Sequence, residues 1–118
     1  MTKTVLILED EPLIAMLVET MVADMGLVPR TSTSIADAYR IADEERPAAA
    51  LVDLHLWGRS GADIIRDLVQ RGIPTAIMTG SNKDDVHSAL AGIPMLEKPF
   101  QPEALELFLQ PIREGVSS

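Results

Sequence analysis

The sequence contains no cysteine, no long apolar run and no cluster of basic residues. Without cysteine, disulfide bonds and thiolate metal sites are excluded. The apolar runs, such as residues 5–8, are far shorter than the roughly 20 residues that a membrane-spanning helix needs. The N-terminal residues also lack the pattern of a signal peptide, because their short apolar run ends directly in acidic residues. These absences predict a cytoplasmic protein that makes no membrane contact.

Acidic residues outnumber basic residues by 18 to 10, which gives a formal net charge of -8. Direct nucleic-acid binding is not expected, because it depends on lysine and arginine side chains that contact phosphates. One interpretation of this acidity is solubility. The other is a metal-binding acidic cluster, and the choice between them depends on where the acidic residues lie in the fold.

The length and the apolar content are those of one globular domain. The chain has 118 residues, of which 47% are apolar, and it shows no internal repeat, low-complexity tract or linker. Such a chain can bury a hydrophobic core of its own. Residues 1–118 are therefore predicted to form a single domain.

Short apolar runs alternate with amphipathic stretches along the chain. The apolar runs predict five strands, at residues 4–8, 27–31, 48–52, 74–78 and 93–96. The amphipathic stretches predict five helices, with starts near Pro12, Ser34, Ser60, Asn82 and Pro102. Ser34 with Asp37 resembles a capping box, and Ser60 with Asp63 is a second candidate cap. A polar, glycine-bearing loop is expected between the third strand and the third helix.

Continuous apolar strands that are separated by helices imply a parallel sheet with both faces covered. Right-handed crossovers then make a doubly wound α/β structure the natural topology, with five β-α units in a three-layer sandwich. Functional sites in such sheets form beyond the carboxyl ends of the strands. The polar residues that follow each predicted strand are therefore the candidate site residues.

Acidic residues follow the first and third predicted strands, whereas a hydroxyl residue and a lysine follow the fourth and fifth. The set consists of Glu9, Asp10, Glu11, Asp53, Thr79, Gly80, Glu97 and Lys98. Carboxylates that lie close together repel one another unless a cation offsets their charge. Mg²⁺ suits this role because it binds oxygen ligands and needs only one or two carboxylates. A carboxylate nucleophile, a metal ion, a lysine and a hydroxyl together suit phosphoryl transfer.

Four motifs at these strand ends resemble the response-regulator receiver family of two-component signalling. In order, they are Val5-Leu6-Ile7-Leu8-Glu9-Asp10-Glu11-Pro12, Leu51-Val52-Asp53-Leu54, Met78-Thr79-Gly80 and Glu97-Lys98-Pro99-Phe100. The resemblance covers nearly the whole chain, and four motifs in register are far more specific than any one of them. It implies a flavodoxin-like fold with strand order 2-1-3-4-5. It also implies one receiver domain without an output domain.

The resemblance assigns a metal site and a phosphate acceptor. Asp53 would accept the phosphoryl group and contribute a ligand to Mg²⁺. Asp10 would bind the ion directly, and Glu9, which stands where the family often has aspartate, would act through water. The backbone carbonyl of His55 would complete the protein ligands.

The resemblance also assigns the groups that contact the phosphoryl oxygens. Thr79 would donate a hydrogen bond to the phosphoryl group, and Lys98 would form an ion pair with it. Gly80 would leave an open path to the acceptor, although its place in a turn is a second explanation for glycine there.

Several positions depart from the family pattern or tune it. Met95 stands where many receivers have an aromatic switch residue, which leaves open whether the output switch is modified or absent. Trp57 replaces a proline that is frequent in the loop, and is interpreted either as a packing residue or as a reporter of Mg²⁺ binding. His55 and Ser81 occupy positions that tune the lifetime of the phosphoryl group, but His55 can also be read as a solvent-facing loop residue.

The resemblance implies protein partners on both sides of the phosphoryl transfer. The donor would be a sensor histidine kinase or a phosphotransfer protein. A downstream protein would bind the face made by the fourth helix, fifth strand and fifth helix, at residues 83–96 and 103–113. A homodimer and a role as phosphate shuttle are further alternatives.

Three other functions compete with the phosphorylated receiver. A pseudo-receiver would bind partners without phosphorylation, and the residue at position 95 keeps this alternative open. An aspartate-based phosphatase usually needs a second aspartate two residues after the nucleophile, where this chain has His55. A flavin or nucleotide binder is disfavoured because no glycine-rich phosphate loop follows the first strand. We therefore expect a signalling module whose only chemistry lies at Asp53, and not a classical enzyme.

Overall fold

The computed structural model describes residues 3–80, 90–98 and 101–115. Its elements in chain order are β1 (Thr4–Leu8), α1 (Pro12–Asp24), β2 (Val28–Thr31), α2 (Ile35–Glu45), β3 (Ala49–Asp53), β4 (His55–Leu56), β5 (Arg59–Ser60), α3 (Ala62–Gln70), β6 (Thr75–Thr79), β7 (Met95–Glu97) and α4 (Pro102–Arg113). The predicted helix at residues 82–90 lies outside the described residues, except for Leu90. None of the helices in the described ranges is long and apolar enough to cross a membrane.

The main sheet has five parallel strands in the order β2-β1-β3-β6-β7. Since β6 and β7 are the fourth and fifth predicted strands, this confirms the expected order 2-1-3-4-5. All five residues of β3 and all five of β6 are buried. Burial of this kind is what the uninterrupted apolar runs in the sequence indicate.

Helices cover both faces of the sheet and give the predicted three layers. Neighbouring residues of a strand point to opposite faces, so Leu6 packs in one cluster with Ile41 of α2, and Val5 packs in the other with Val18 of α1. The first cluster also takes in α3, and the second takes in α4. Each fully buried side chain of this size stabilises the fold by roughly 1.5–3 kcal/mol.

The first residues of α2 and α3 can be compared with the caps predicted from the sequence. At α2 the predicted cap at Ser34 is confirmed, because its hydroxyl accepts the Asp37 N–H at 2.9 Å. The reciprocal bond of a capping box differs, since the Asp37 carboxylate accepts the N–H of Thr33 at 3.1 Å and not that of Ser34. At α3 the residue that caps the helix is Gly61, one position later than expected. Ser60 instead accepts the N–H of Ala62 at 3.1 Å. The glycine takes this place because its backbone is packed directly against β3.

The segment after Asp53 is a β-hairpin and not the loop expected from the sequence. Strands β4 and β5 pair antiparallel, and Trp57 and Gly58 form the turn between them with φ of 49° and 74°. Two consecutive positive φ angles are what a two-residue hairpin of right-handed twist requires. Asparagine and glycine are the usual residues at such turns, so tryptophan at the first position gave no signal in the sequence.

Candidate functional site

The strand register gathers the predicted site residues at the carboxyl edge of the sheet. Leu8 lies opposite Val52 on the neighbouring strand, and Thr79 lies opposite Glu97. The residues that follow these positions therefore leave the sheet at the same edge. Asp53 ends the central strand β3, between β1 and β6.

Lys98 bridges two of these carboxylates. Its Nζ lies 2.7 Å from Glu9 Oε2 and 2.6 Å from Asp53 Oδ2. Its backbone N–H donates to the carbonyl oxygen of Thr79 at 2.8 Å, which extends the ladder between β6 and β7 by one residue. The lysine is thus held by its backbone at one end while its ammonium group reaches across the sheet edge.

The two bridged carboxylates are buried, with relative exposures of 3% for Glu9 and 6% for Asp53. Backbone groups satisfy the oxygens that the lysine does not contact. Glu9 Oε1 accepts the N–H of Glu11 at 3.1 Å, and Asp53 Oδ1 accepts the N–H of His55 at 3.0 Å. Every oxygen of both carboxylates therefore has a donor, as buried polar atoms require.

Burial and pairing shift the protonation of this pocket. Burial raises the pKa of Glu9, and the nearby Asp53 raises it further, while the hydrogen bonds from Lys98 and Glu11 oppose the shift. For Lys98, burial alone would lower the pKa, but the hydrogen bonds to Asp53 and Glu9 outweigh it and the pKa is raised. The lysine therefore favours its cationic form, whereas burial disfavours the ionised form of Glu9.

Asp10 adds a third carboxylate at the exposed rim. Its Oδ2 accepts the backbone N–H of Trp57 at 2.8 Å. One carboxylate oxygen from each of Glu9, Asp10 and Asp53 lies within 4.8 Å of the others. Three hard oxygen donors facing one lysine leave an excess of negative charge, so this set fits a small divalent cation such as Mg²⁺.

The remaining predicted residues occupy different settings. Thr79 is buried at the end of β6, beside the strand that carries Asp53. A Cβ built on Gly80 would contact no atom of the described residues within 4 Å, so this part of the chain leaves the space beside its backbone open. Met95 begins the edge strand β7 and is 37% exposed. Ser81 lies outside the described residues.

His55 contacts the pocket through its backbone. Its N–H holds Asp53, while its side chain is exposed and makes no hydrogen bond or ion pair to the rest of the described chain. The lifetime-tuning role and the carbonyl ligand expected from the resemblance both remain predictions.

Gly61 is a site residue that the sequence interpretation missed. Its N–H donates to the carbonyl oxygen of Leu54 at 2.6 Å. A Cβ at this position would lie 2.5 Å from the carbonyl oxygen of Asp53, which is closer than real contacts allow. The base of the hairpin can therefore sit against the acceptor only with glycine here. Gly58, at the second position of the turn, was the signal in the sequence that could have indicated the hairpin.

Comparisons with known proteins agree with this geometry. A sequence model of the response regulator receiver domain matches residues 5–110. The phyllosphere-induced regulator PhyR of Methylorubrum extorquens is 35% identical over 117 residues, covering 86% of this chain and 40% of that protein. The two-component response regulator PhoP of Pseudomonas aeruginosa is 35% identical over 106 residues, and the match covers 86% of this chain and 47% of the length of PhoP. This chain thus spans less than half the length of either protein.

A solved structure of similar size also matches. The solution structure of SdrG from Sphingomonas melonis Fr1 superimposes with a TM-score of 0.81 at 31% identity, covering 94% of this chain and 96% of that one. The similarity therefore extends over nearly the whole length of both chains.

Proposed function

This chain belongs to the response regulator receiver domain family, and from its pocket we propose that Asp53 accepts a phosphoryl group in two-component signalling. The observation that carries the proposal is the contact between Lys98 and Asp53 at 2.6 Å inside a pocket of three carboxylates. The Lys98 ammonium group lies beside the acceptor oxygen, where the negative charge of a phosphoryl group would be added.

The transfer itself needs little beyond positioning and charge neutralisation. An oxygen of Asp53 would bond to phosphorus while the phosphorus–nitrogen bond to a donor phosphohistidine breaks. The electron pair of the broken bond stays on the imidazole nitrogen, which takes up a proton from solvent. Lys98 would then move its ion pair from the Asp53 carboxylate to a phosphoryl oxygen, and Thr79 would donate a hydrogen bond to another.

Glu9, Asp10 and Asp53 would hold Mg²⁺, with the His55 carbonyl as a further ligand. When bound, the ion supplies neutralisation of the charge on the phosphoryl oxygens. The fold would hold the three carboxylates close enough to bind that ion. Without the ion, the carboxylates would repel one another.

The phosphodonor would dock on the outer face of α1. Leu13, Met16 and Leu17 lie one turn apart on this helix and are 81%, 61% and 48% exposed. The helix begins two residues after Asp10, so a protein seated on this apolar face would place its phosphohistidine at the pocket. A small phosphodonor would not need that face.

A separate downstream partner would bind the opposite edge of the sheet. The described part of this face includes the exposed Met95 on β7 and Leu107 on α4, which is 72% exposed. The part of this face at residues 83–89 lies outside the described residues. Substitution of Leu107 by lysine should weaken binding of a downstream protein without changing phosphorylation.

The proposed function is tested by incubation with Mg²⁺ and acetyl phosphate, followed by intact mass measurement. We expect the wild type to gain one phosphoryl group and Asp53→Asn to gain none. Leu13→Lys should be phosphorylated normally by acetyl phosphate but slowly by a phosphorylated histidine phosphotransfer protein that serves the wild type.

A wild type that stays unmodified in Mg²⁺ and acetyl phosphate, while its fold is intact by circular dichroism, contradicts the proposal. Binding without phosphorylation, as in a pseudo-receiver, would then be the function to pursue. An equal gain of mass in Asp53→Asn would place the chemistry on another residue.

A further inference from the structure

The β4–β5 hairpin holds two carboxylates of the pocket through backbone N–H groups. The N–H of His55 donates to Asp53 Oδ1 at 3.0 Å, and the N–H of Trp57 donates to Asp10 Oδ2 at 2.8 Å. Both donors belong to the same short segment, two residues apart. A single backbone element therefore contacts the two acidic residues that come from different strands of the main sheet.

Strand alternation explains why these two N–H groups act together. Leu56 pairs with Arg59 across the hairpin, so the backbone groups of the residues on either side of Leu56 point away from the partner strand. The Leu56 side chain is fully buried in the core, which anchors the hairpin. At its base, Gly61 allows the close approach to the Asp53 carbonyl.

The turn that directly follows the Trp57 N–H depends on a left-handed backbone. This N–H belongs to the peptide unit between Leu56 and Trp57, and the chain must turn back into β5 immediately after it. Trp57 has φ of 49°, a region that asparagine and glycine enter readily and β-branched residues avoid. Its indole donates no hydrogen bond to the described residues, and Trp57 lines an open surface groove of about 390 Å³ beside the first turn of α2, with Ile35 and Arg59. The backbone and the side chain of this residue thus have separate surroundings.

Asp10 receives no other hydrogen bond from the described residues. Its second carboxylate oxygen is consequently available to a cation, while the first is fixed by the hairpin. A ligand whose orientation is set by a hydrogen bond loses less freedom when it binds a metal, and such supporting contacts change metal affinity by about 10- to 100-fold.

We propose that Trp57 is a positioning residue for the metal site, and that its left-handed backbone conformation, not its indole, presets Asp10 for a divalent cation. This inference rests on the proposed function in one respect, namely that Asp10 is a Mg²⁺ ligand. It adds a requirement that the resemblance to the family does not supply: a hairpin turn at residues 57 and 58 of defined φ.

Two substitutions of similar size separate the backbone from the side chain. Trp57→Asn removes the indole but tolerates positive φ, whereas Trp57→Val removes it and opposes positive φ. Mg²⁺ affinity is measured by titration of amide NMR shifts at constant pH and ionic strength. We expect Trp57→Asn to stay within about 2-fold of the wild type and Trp57→Val to bind about 10-fold more weakly.

Equal affinities in the two variants would overturn the inference, as would an equal loss in both, which would assign the effect to the indole. If the valine variant does not fold, amide hydrogen exchange gives an independent answer. The N–H of residue 57 lies at a hairpin tip, where an amide exchanges rapidly unless a hydrogen bond protects it. Because Asp10 accepts this N–H, exchange should be slow in the wild type and in Trp57→Asn, and rapid in Asp10→Ala. Rapid exchange in the wild type overturns the inference.

A wild type that binds no Mg²⁺ at all defines a different failure. In that case the metal site of the proposed function is wrong, while the exchange of the residue 57 amide still reports whether the hairpin holds Asp10. The two failures are therefore distinguishable in the same set of samples.

Discussion

Two groups of charged side chains in this molecule have the same plan, a single cation that bridges two carboxylates. In the pocket, Lys98 contacts Glu9 and Asp53 at 2.7 and 2.6 Å. On the surface of α2, Arg40 contacts Asp37 and Glu44 at 2.7 and 2.9 Å. We call the second set the α2 cluster. The contact distances alone would not tell the two groups apart.

Burial separates them. The side chains of Arg40 and Glu44 are 49% and 61% exposed, whereas Glu9 in the pocket has no exposed side-chain surface. The pKa of Asp37 is lowered, mainly by its hydrogen bonds from Arg40. The pKa of Glu9 is raised, because burial outweighs its hydrogen bond from Lys98. One cation between two carboxylates is thus enough to favour the ionised form of Asp37 at the surface. In the buried pocket, the same arrangement does not offset the effect of burial on Glu9.

The largest contrast should appear when each cation is replaced. Lys98→Met leaves two buried carboxylates without a counter-ion, and we expect it to lower the free energy of unfolding by about 3 kcal/mol at neutral pH. Arg40→Met should give no measurable change, since solvent screens the α2 cluster. Urea denaturation of both variants makes the comparison, and a similar loss in both would remove the distinction between the two groups.

A steric test concerns the backbone that surrounds the acceptor. Gly61→Ala forces a methyl group against the Asp53 carbonyl, and overpacking of this kind should cost about 2 kcal/mol. Gly80→Ala is the matched control, because its methyl group enters open space. Chemical denaturation should therefore rank Gly61→Ala well below Gly80→Ala. Equal stabilities would mean that the hairpin is not seated on β3 as described.

Mg²⁺ should stabilise the pocket and ignore the α2 cluster. At an ion concentration ten times the dissociation constant, the wild type should gain about 1.4 kcal/mol of stability. Asp10→Asn should lose most of this gain, whereas Asp37→Asn should keep it. Thermal unfolding with and without Mg²⁺, at fixed ionic strength, measures the increment. An increment that survives in Asp10→Asn argues against a metal ligand at that position.

The smallest effect is expected where a partly buried group joins α2 to α3. Tyr39 donates a hydrogen bond to Asp67, and burial together with this bond raises the pKa of Tyr39 from 10.0 to about 12. Below pH 10 the tyrosine is protonated in both states, so its contribution is fully present. Between pH 10 and 12 the unfolded state loses the proton first, and stability falls. The wild type should therefore lose slightly more stability than Tyr39→Phe over this range.

Much of the fold could be predicted because the buried strands are continuous runs of apolar residues in the sequence. The apolar runs that became β1, β3 and β6 could lie only inside a covered parallel sheet. Ends of elements were less accurate, as with the cap of α3, because Ser60 and Gly61 compete for the same place. A local propensity does not reveal that the Asp53 carbonyl leaves no room for a side chain at residue 61.

The sequence predicted which residues form the site, but not the hydrogen bonds between them. Strand ends gave Glu9, Asp53 and Lys98 without any knowledge of distances, because parallel strands end at one edge. The sequence could not show that one lysine contacts both acids, or that backbone N–H groups hold them. The hairpin was missed for the same reason, since Trp57 enters it against the usual preference for the turn.

The site of phosphorylation on the protein can be identified directly by chemical trapping. After reaction with Mg²⁺ and acetyl phosphate, borohydride reduction converts a phosphorylated aspartate to homoserine, and peptide mass mapping locates the converted residue. We expect conversion at Asp53 and at no other acidic residue, including the neighbouring Glu9 and Asp10. Conversion at one of those residues, or at none in a folded protein, would contradict this expectation.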